Sequence, residues 1–119
     1  MNAASYLQLD RVIHERGRLA IMSLLAATTE LPFTGIRDAL EMTDGNVTTH
    51  LRTLQEAGYV AVTKSFQKGR PHTTVALTVT GRKAFQHHVD LLARIVERAR
   101  SGPSFEARVM SGGRLRPQS

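Results

Sequence analysis

Residues 43–60, TDGNVTTHLRTLQEAGYV, decide the fold. Thr43 or Asp44 can cap a helix, Val47, Leu51 and Leu54 recur at helical spacing, and Gly58 ends it. The pattern predicts a helix over 44–57 with one face in a core. With Val47 at zero on a wheel of about 100° per residue, Asn46, Thr49, Arg52, Thr53 and Glu56 fall on the opposite half and Thr48 on its flank. Apart from Glu56, that half is neutral or cationic. Short hydroxyl and amide side chains near a helix N-terminus suit base edges and phosphates, because their donors and acceptors reach into a major groove without bulk.

The segments that follow point the same way. Tyr59 to Phe66 and Thr73 to Thr80 alternate apolar with polar residues and are rich in β-branched types, so both read as strands. QKGRPH connects them, with Gly69 and Pro71 as turn formers and Lys68 and Arg70 at a solvent-facing tip. From Ala57 through Val89 there is no Asp or Glu, whereas Lys64, Lys68, Arg70, Arg82 and Lys83 are cationic. Such a hairpin attracts a polyanion.

The run IRDALEMTDGNVTTHLRTLQEAGYV, then KGRP, then a strand ending LTVTGRKAF resembles the winged helix-turn-helix transcriptional regulators of the MarR/ArsR-like superfamily. The order matches positioning helix, tight turn, recognition helix, wing and LT-x-x-G helix start, and it covers residues 7 to 99. The N-terminal LDRVIHERGRLAIMSLLA resembles the opening helices of a small MarR-like subgroup, with Gly17 where that subgroup usually has a helix-favouring residue. The resemblance implies a mainly α fold with a small β-hairpin wing, in the order α-α-α-α-β-β-α. It also implies a sequence-specific regulator of double-stranded DNA, with recognition helix 44–57 in the major groove and wing 64–73 on the backbone or minor groove.

Length and composition agree. At 119 residues, 41% of them hydrophobic, the chain is expected to be one domain over 1–100 with a flexible basic tail over 101–119. A net charge of +6 and an isoelectric point near 10.8 favour an acidic partner, nucleic acid above all. There is neither an apolar run of the roughly 20 residues that a membrane span requires nor a signal-peptide pattern, so a cytoplasmic protein is expected. Zero cysteines exclude disulfides, thiol switches and thiolate metal sites.

Along the chain, five helices and a wing are expected. Leu7 to Ile13 and Arg18 to Ala27 form the first two, Phe33 to Leu40 the third with Thr34 as cap, and Thr80 caps a last helix running to about Ala99. On that last helix Phe85, His88, Val89, Leu92, Ile95, Val96 and Ala99 recur at three- and four-residue intervals. The stripe exceeds what the end of a small core covers, so a homodimer through Leu9, Val12, Ile13, Phe85, Val89, Leu92, Ile95 and Val96 is expected.

The candidate DNA-binding residues are Arg37, Asn46, Thr48, Thr49, Arg52, Thr53, Lys64, Lys68 and Arg70, with Arg52 also able to pair with Glu56 at i,i+4. His50, at the edge of the buried stripe, reads as a packing residue. His87 and His88, with Asp90 and Glu97, raise a metal-responsive ArsR-type alternative, but adjacent helical positions diverge by about 100° and cannot chelate one ion from one face. No cofactor or metal is expected, and any small-molecule effector is unknown. No catalytic motif is present, so an enzyme is not expected, and the alternative from another class is a winged-helix protein-interaction module.

Overall fold

The computed structural model describes residues 5–103. Four α-helices and a three-stranded antiparallel sheet make up the described part: α1 (Arg16–Ala26), β1 (Leu31–Pro32), α2 (Phe33–Ala39), α3 (Asp44–Glu56), β2 (Val60–Gln67), β3 (Arg70–Leu77) and α4 (Val79–Arg100). The sheet order is β1-β3-β2. Ile13, Ile21, Met22, Leu25, Ile36, Val47, Leu51, Leu54, Val60 and Val75 form one core shared by the helices and the inner ends of β2 and β3. The expected winged helix-turn-helix architecture is present.

Several expected element bounds are corrected. The helix expected over 7–13 is a 3-10 turn at Ser5–Gln8 followed by a bend, because the Asp10 carboxylate accepts from the backbone N–H of Val12 (2.8 Å) and Ile13 (3.2 Å) and so diverts those donors from a helical ladder. α1 starts at Arg16, two residues before the expected Arg18, with Glu15 as its cap accepting from the Arg18 N–H. That backbone hydrogen bond, above all, holds the Glu15 carboxyl below its ordinary value. Gly17 fits there because a Cβ would lie 2.6 Å from His50 Nε2.

β1 is an addition to the expected scheme. It pairs Leu31 with Val75 and Pro32 with Thr74, then enters α2 directly with Pro32 in the cap position, so Thr34 is not the cap. α4 begins after Thr78, whose side chain accepts from the Gly81 N–H, so Thr78 rather than Thr80 is its cap. The tail expected over 101–119 lies, beyond Pro103, outside the described residues.

The helix-turn-helix is closed at both ends by backbone hydrogen bonds. After α3, Gly58 at φ +80° lets Tyr59 N–H reach Leu54 O (2.9 Å) while Gly58 N–H reaches Gln55 O (2.9 Å), a Schellman closure. After α2 the same pattern joins Met42 N–H to Arg37 O and Glu41 N–H to Asp38 O, with Glu41 at φ +53°. A non-glycine residue there costs about 1 kcal/mol, and it sets the sharp entry into α3.

One buried polar side chain ties the N-terminal bend to α4. His88 is 0% exposed; its Nδ1 accepts from the Asp10 backbone N–H (3.4 Å), so its Nε2 bears the proton and donates to His14 Nδ1 at 3.2 Å. Tyr59 donates its hydroxyl to Asp10, which with burial raises the phenol to about 12. Burial first, then His14, lowers His88 below 6.5, with His87 adding to the effect and Asp10 opposing it. A base depressed in the folded state takes up its proton more readily when unfolded, so this contribution to stability is complete above about pH 6.5 and is lost as pH falls toward and through the folded value. The urea midpoint is therefore expected to fall between about pH 7 and pH 5. His88→Gln should reduce that slope, and an unchanged slope would mean that other groups set it.

Candidate nucleic-acid interface

The helix cap places the first polar residues. Thr43 accepts from the Asn46 N–H at 3.1 Å, fixing the first turn of α3. With Val47, Leu51 and Leu54 buried, Asn46, Thr48, Thr49 and Arg52 are exposed on the outer side. Thr53 is half-buried and its hydroxyl donates to Thr49 O (3.3 Å), which leaves it a weaker candidate for an outward contact. The ion pair that Arg52 is able to form with Glu56 is not among those of the described residues.

Arg37 is engaged differently from the expectation. Its guanidinium donates to Asp38 (2.9 Å) and Asp44 (3.0 Å), which raises its pKa above the ordinary value and pins the end of α2 to the first residue of α3. Both pairs are solvent-exposed, and a phosphate approaching Arg37 would compete with the two carboxylates. His50 is a packing residue, as expected: its ring lies against Gly17 and its Nδ1 is 3.7 Å from Glu15.

The wing is longer and its turn tighter than the expected QKGRPH loop. β2 and β3 pair from Val60↔Leu77 out to Gln67↔Arg70, leaving Lys68 and Gly69 as a two-residue turn with φ +52° and +76°. Two successive positive φ values make a type I′ turn, whose twist matches that of the strands. Alternation along this register puts Val60, Val62, Lys64 and Phe66, with partners Leu77, Val75, Thr73 and Pro71, on one face, and places Arg70 on the other.

That first face closes a groove against α3. The groove, about 390 Å³, is lined by Phe33, Thr48, Leu51, Arg52, Gln55, Val62, Lys64 and Thr73. Its rim is cationic and hydroxyl-bearing, with no carboxylate in the lining. The structure thus brings Thr48, Arg52 and Lys64 together, and adds Gln55 and Thr73. Gln55 was legible, since it falls beside Thr48 on the helix wheel; Thr73 follows only from the strand register. Arg82, counted in the cationic run, instead donates to Ala26 O (3.1 Å) and Thr28 O (3.5 Å) at the end of α1.

Comparison with known proteins decides the family. Residues 18–96 match the family model for the winged helix DNA-binding domain. The chain belongs to the winged helix DNA-binding domain family. This winged-helix protein is 38% identical over 72 residues to an uncharacterized protein of Methanocaldococcus jannaschii, an alignment that spans 60% of this chain and 78% of that one. It is similar in structure to a transcriptional regulator homologue from Pyrococcus horikoshii OT3, with 26% identity, a TM-score of 0.76 and coverage of 83% and 98% of the two chains. S. aureus MepR, solved with DNA, has the same fold at 17% identity and a TM-score of 0.60, covering 91% of this chain and 84% of that one. These findings agree with the MarR-like resemblance, and the family is one of DNA-binding regulators rather than enzymes.

No helix of the described residues is long and apolar enough to cross a membrane. Among the described residues no group of three or more His, Asp or Glu side chains is placed to hold a metal ion. His88 turns into the protein while His87 is exposed, so the two rings diverge as adjacent helical positions do.

Proposed function

We propose that the protein is a homodimeric, sequence-specific repressor that occupies a promoter, with α3 in the major groove and the wing on the adjacent backbone and minor groove. The observation that carries this reading is the groove between α3 and β2–β3. It presents Thr48, Arg52, Gln55, Lys64 and Thr73 to a single strand of duplex, without a carboxylate to repel it. Asn46 and Thr49, exposed on the same helix, are the candidate base readers, while Lys64, Lys68 and Arg70 are phosphate partners.

The dimer reading rests on α4. Gly81, His88 and Leu91 face its own domain and are buried, whereas Val89 and Val96 remain 38% and 47% exposed on a stripe with Phe85 and Leu92. That stripe is proposed to meet its counterpart in a second copy. Leu9, half-buried, precedes Asp10, whose backbone N–H bonds His88 of α4. Ile13 is fully buried in the core of its own chain and Val12 packs against that core, so Ile13 is withdrawn from the expected interface.

Salt dependence tests the DNA reading. Lys68→Ala with Arg70→Ala is expected to weaken binding to all duplexes and to reduce the slope of log K against log[salt] by about 0.9 per lost phosphate contact. Both residues are exposed at the tip, so the fold should be unaffected. An unchanged slope would remove the wing from the interface. Absence of any salt-dependent duplex binding by the wild type would favour the protein-interaction alternative.

A further inference from the structure

Phe66 is 75% exposed, near the tip of a hairpin whose inner end is core. The register fixes its direction. On the face that closes the groove, Val62↔Val75 is followed outward by Lys64↔Thr73 and then by Phe66↔Pro71. Each step is two residues, about 7 Å along the strand. Phe66 and Pro71 therefore continue the groove face beyond Lys64, while Gln67↔Arg70 and Lys68 occupy the opposite face and the turn.

The pair is also built to present apolar surface. In a two-residue hairpin the residues flanking the turn exchange hydrogen bonds, so Phe66↔Pro71 is the neighbouring non-hydrogen-bonded pair, whose side chains approach most closely. Proline is tolerated there because its missing donor faces the open edge of β3, beyond Thr74 where β1 stops pairing. A phenyl ring backed by a pyrrolidine ring thus lies between a cationic groove and a cationic tip.

We propose that Phe66, backed by Pro71, is an apolar minor-groove contact, lying against the deoxyribose walls and base edges beside the segment read by α3. This rests on the DNA reading above. Continuity with the groove and the cations on both sides favour duplex DNA over another occupant: Lys64, Lys68 and Arg70 draw in the phosphates that border a minor groove, whose walls are the C–H faces of sugars. Apolar side chains pressed into a minor groove favour steps that unstack easily, such as TA and CA/TG. Phe66 thereby gives the wing a preference for deformable DNA in addition to its charge.

The test compares full-length wild type, Phe66→Ser and Lys68→Ala on one duplex selected by the wild type, titrated over a series of salt concentrations. Phe66→Ser is expected to weaken binding about tenfold, by loss of apolar burial, with its salt slope unchanged because no counterion is released at that contact. Lys68→Ala should flatten the slope. Replacing a flexible step beneath the wing by a stiff A-tract should weaken the wild type and leave Phe66→Ser unaffected. Because Phe66 is exposed, the variant should keep its melting temperature. Wild-type affinity in Phe66→Ser would overturn the proposal while leaving the DNA reading intact. So would a change in the sedimentation of the protein alone without a change in DNA affinity, which would make Phe66 a contact between copies. Failure of the wild type to bind any duplex would overturn both.

Discussion

Gly81→Ala is expected to destabilise the fold by at least about 3 kcal/mol, at or beyond the upper end of overpacking effects. A Cβ at residue 81 would overlap Tyr59 O and stand 2.7 Å from its carbonyl carbon and 2.9 Å from its Cα. These are backbone atoms, so no rotamer change relieves the clash. The backbone there is also held in place: Tyr59 O accepts from the Thr78 N–H at 3.0 Å, and the Thr78 hydroxyl donates to Gly58 O at 2.6 Å. The start of α4 is thus locked onto the corner where α3 turns into the wing. For a domain of this size a loss of 3 kcal/mol lowers the melting temperature by about 12 °C or more. Gly45→Ala is the control, since its Cβ would meet nothing within 4 Å and alanine favours a helix by about 1 kcal/mol. Urea titration should give opposite signs for the two variants, and a neutral Gly81→Ala would contradict the close docking of α4.

Val89→Glu with Val96→Glu is expected to produce monomers that fold but lose operator binding by a factor of about 100 or more. Both side chains are partly exposed in the single chain, so the substitutions leave its core intact. In the proposed dimer they would face a second apolar stripe, where an unpaired carboxylate costs several kcal/mol unless it takes up a proton. A monomer carries one recognition helix and one wing. It forfeits the effective concentration that makes binding of the second half-site nearly intramolecular. Sedimentation at micromolar concentration reads the first effect and duplex titration the second. A wild-type monomer, or a double variant that remains dimeric, would contradict the interface.

How far the sequence could be read depended on whether a signal was local. Thr43, Gly58 and the Val47, Leu51, Leu54 spacing determined α3 to within a residue, because cap, breaker and period act on one short segment. The wing was legible from alternation, but its two-residue turn is tighter than the QKGRPH composition implies. Lys68 adopts a positive φ that usually signals Asn or Asp, and Pro71 looked like a loop residue until the register put it in a strand. β1 has two residues and no pattern of its own; it exists because β3 offers an edge.

The N-terminal bend misled for a related reason. Leu9, Val12 and Ile13 have helical spacing, yet the Asp10 side chain takes the donors a helix would need. Within the site, the exposed polar residues of α3 followed from the wheel. The ion pairs of Arg37 and the role of Arg82 beneath α1 did not, since each depends on a partner remote in the sequence or in a neighbouring turn. Gly17 is the clearest such case: an unfavourable helix residue by propensity, it makes room for the His50 ring.

Selection of bound sequences from a pool of random duplexes by the purified protein tests the central claim most directly. The expected outcome is one enriched inverted repeat, its half-sites centred about one helical turn apart, as two recognition helices related by a two-fold axis require. Recovery of a single unrepeated half-site, or of no sequence above the random background, would contradict a homodimer that reads DNA through α3.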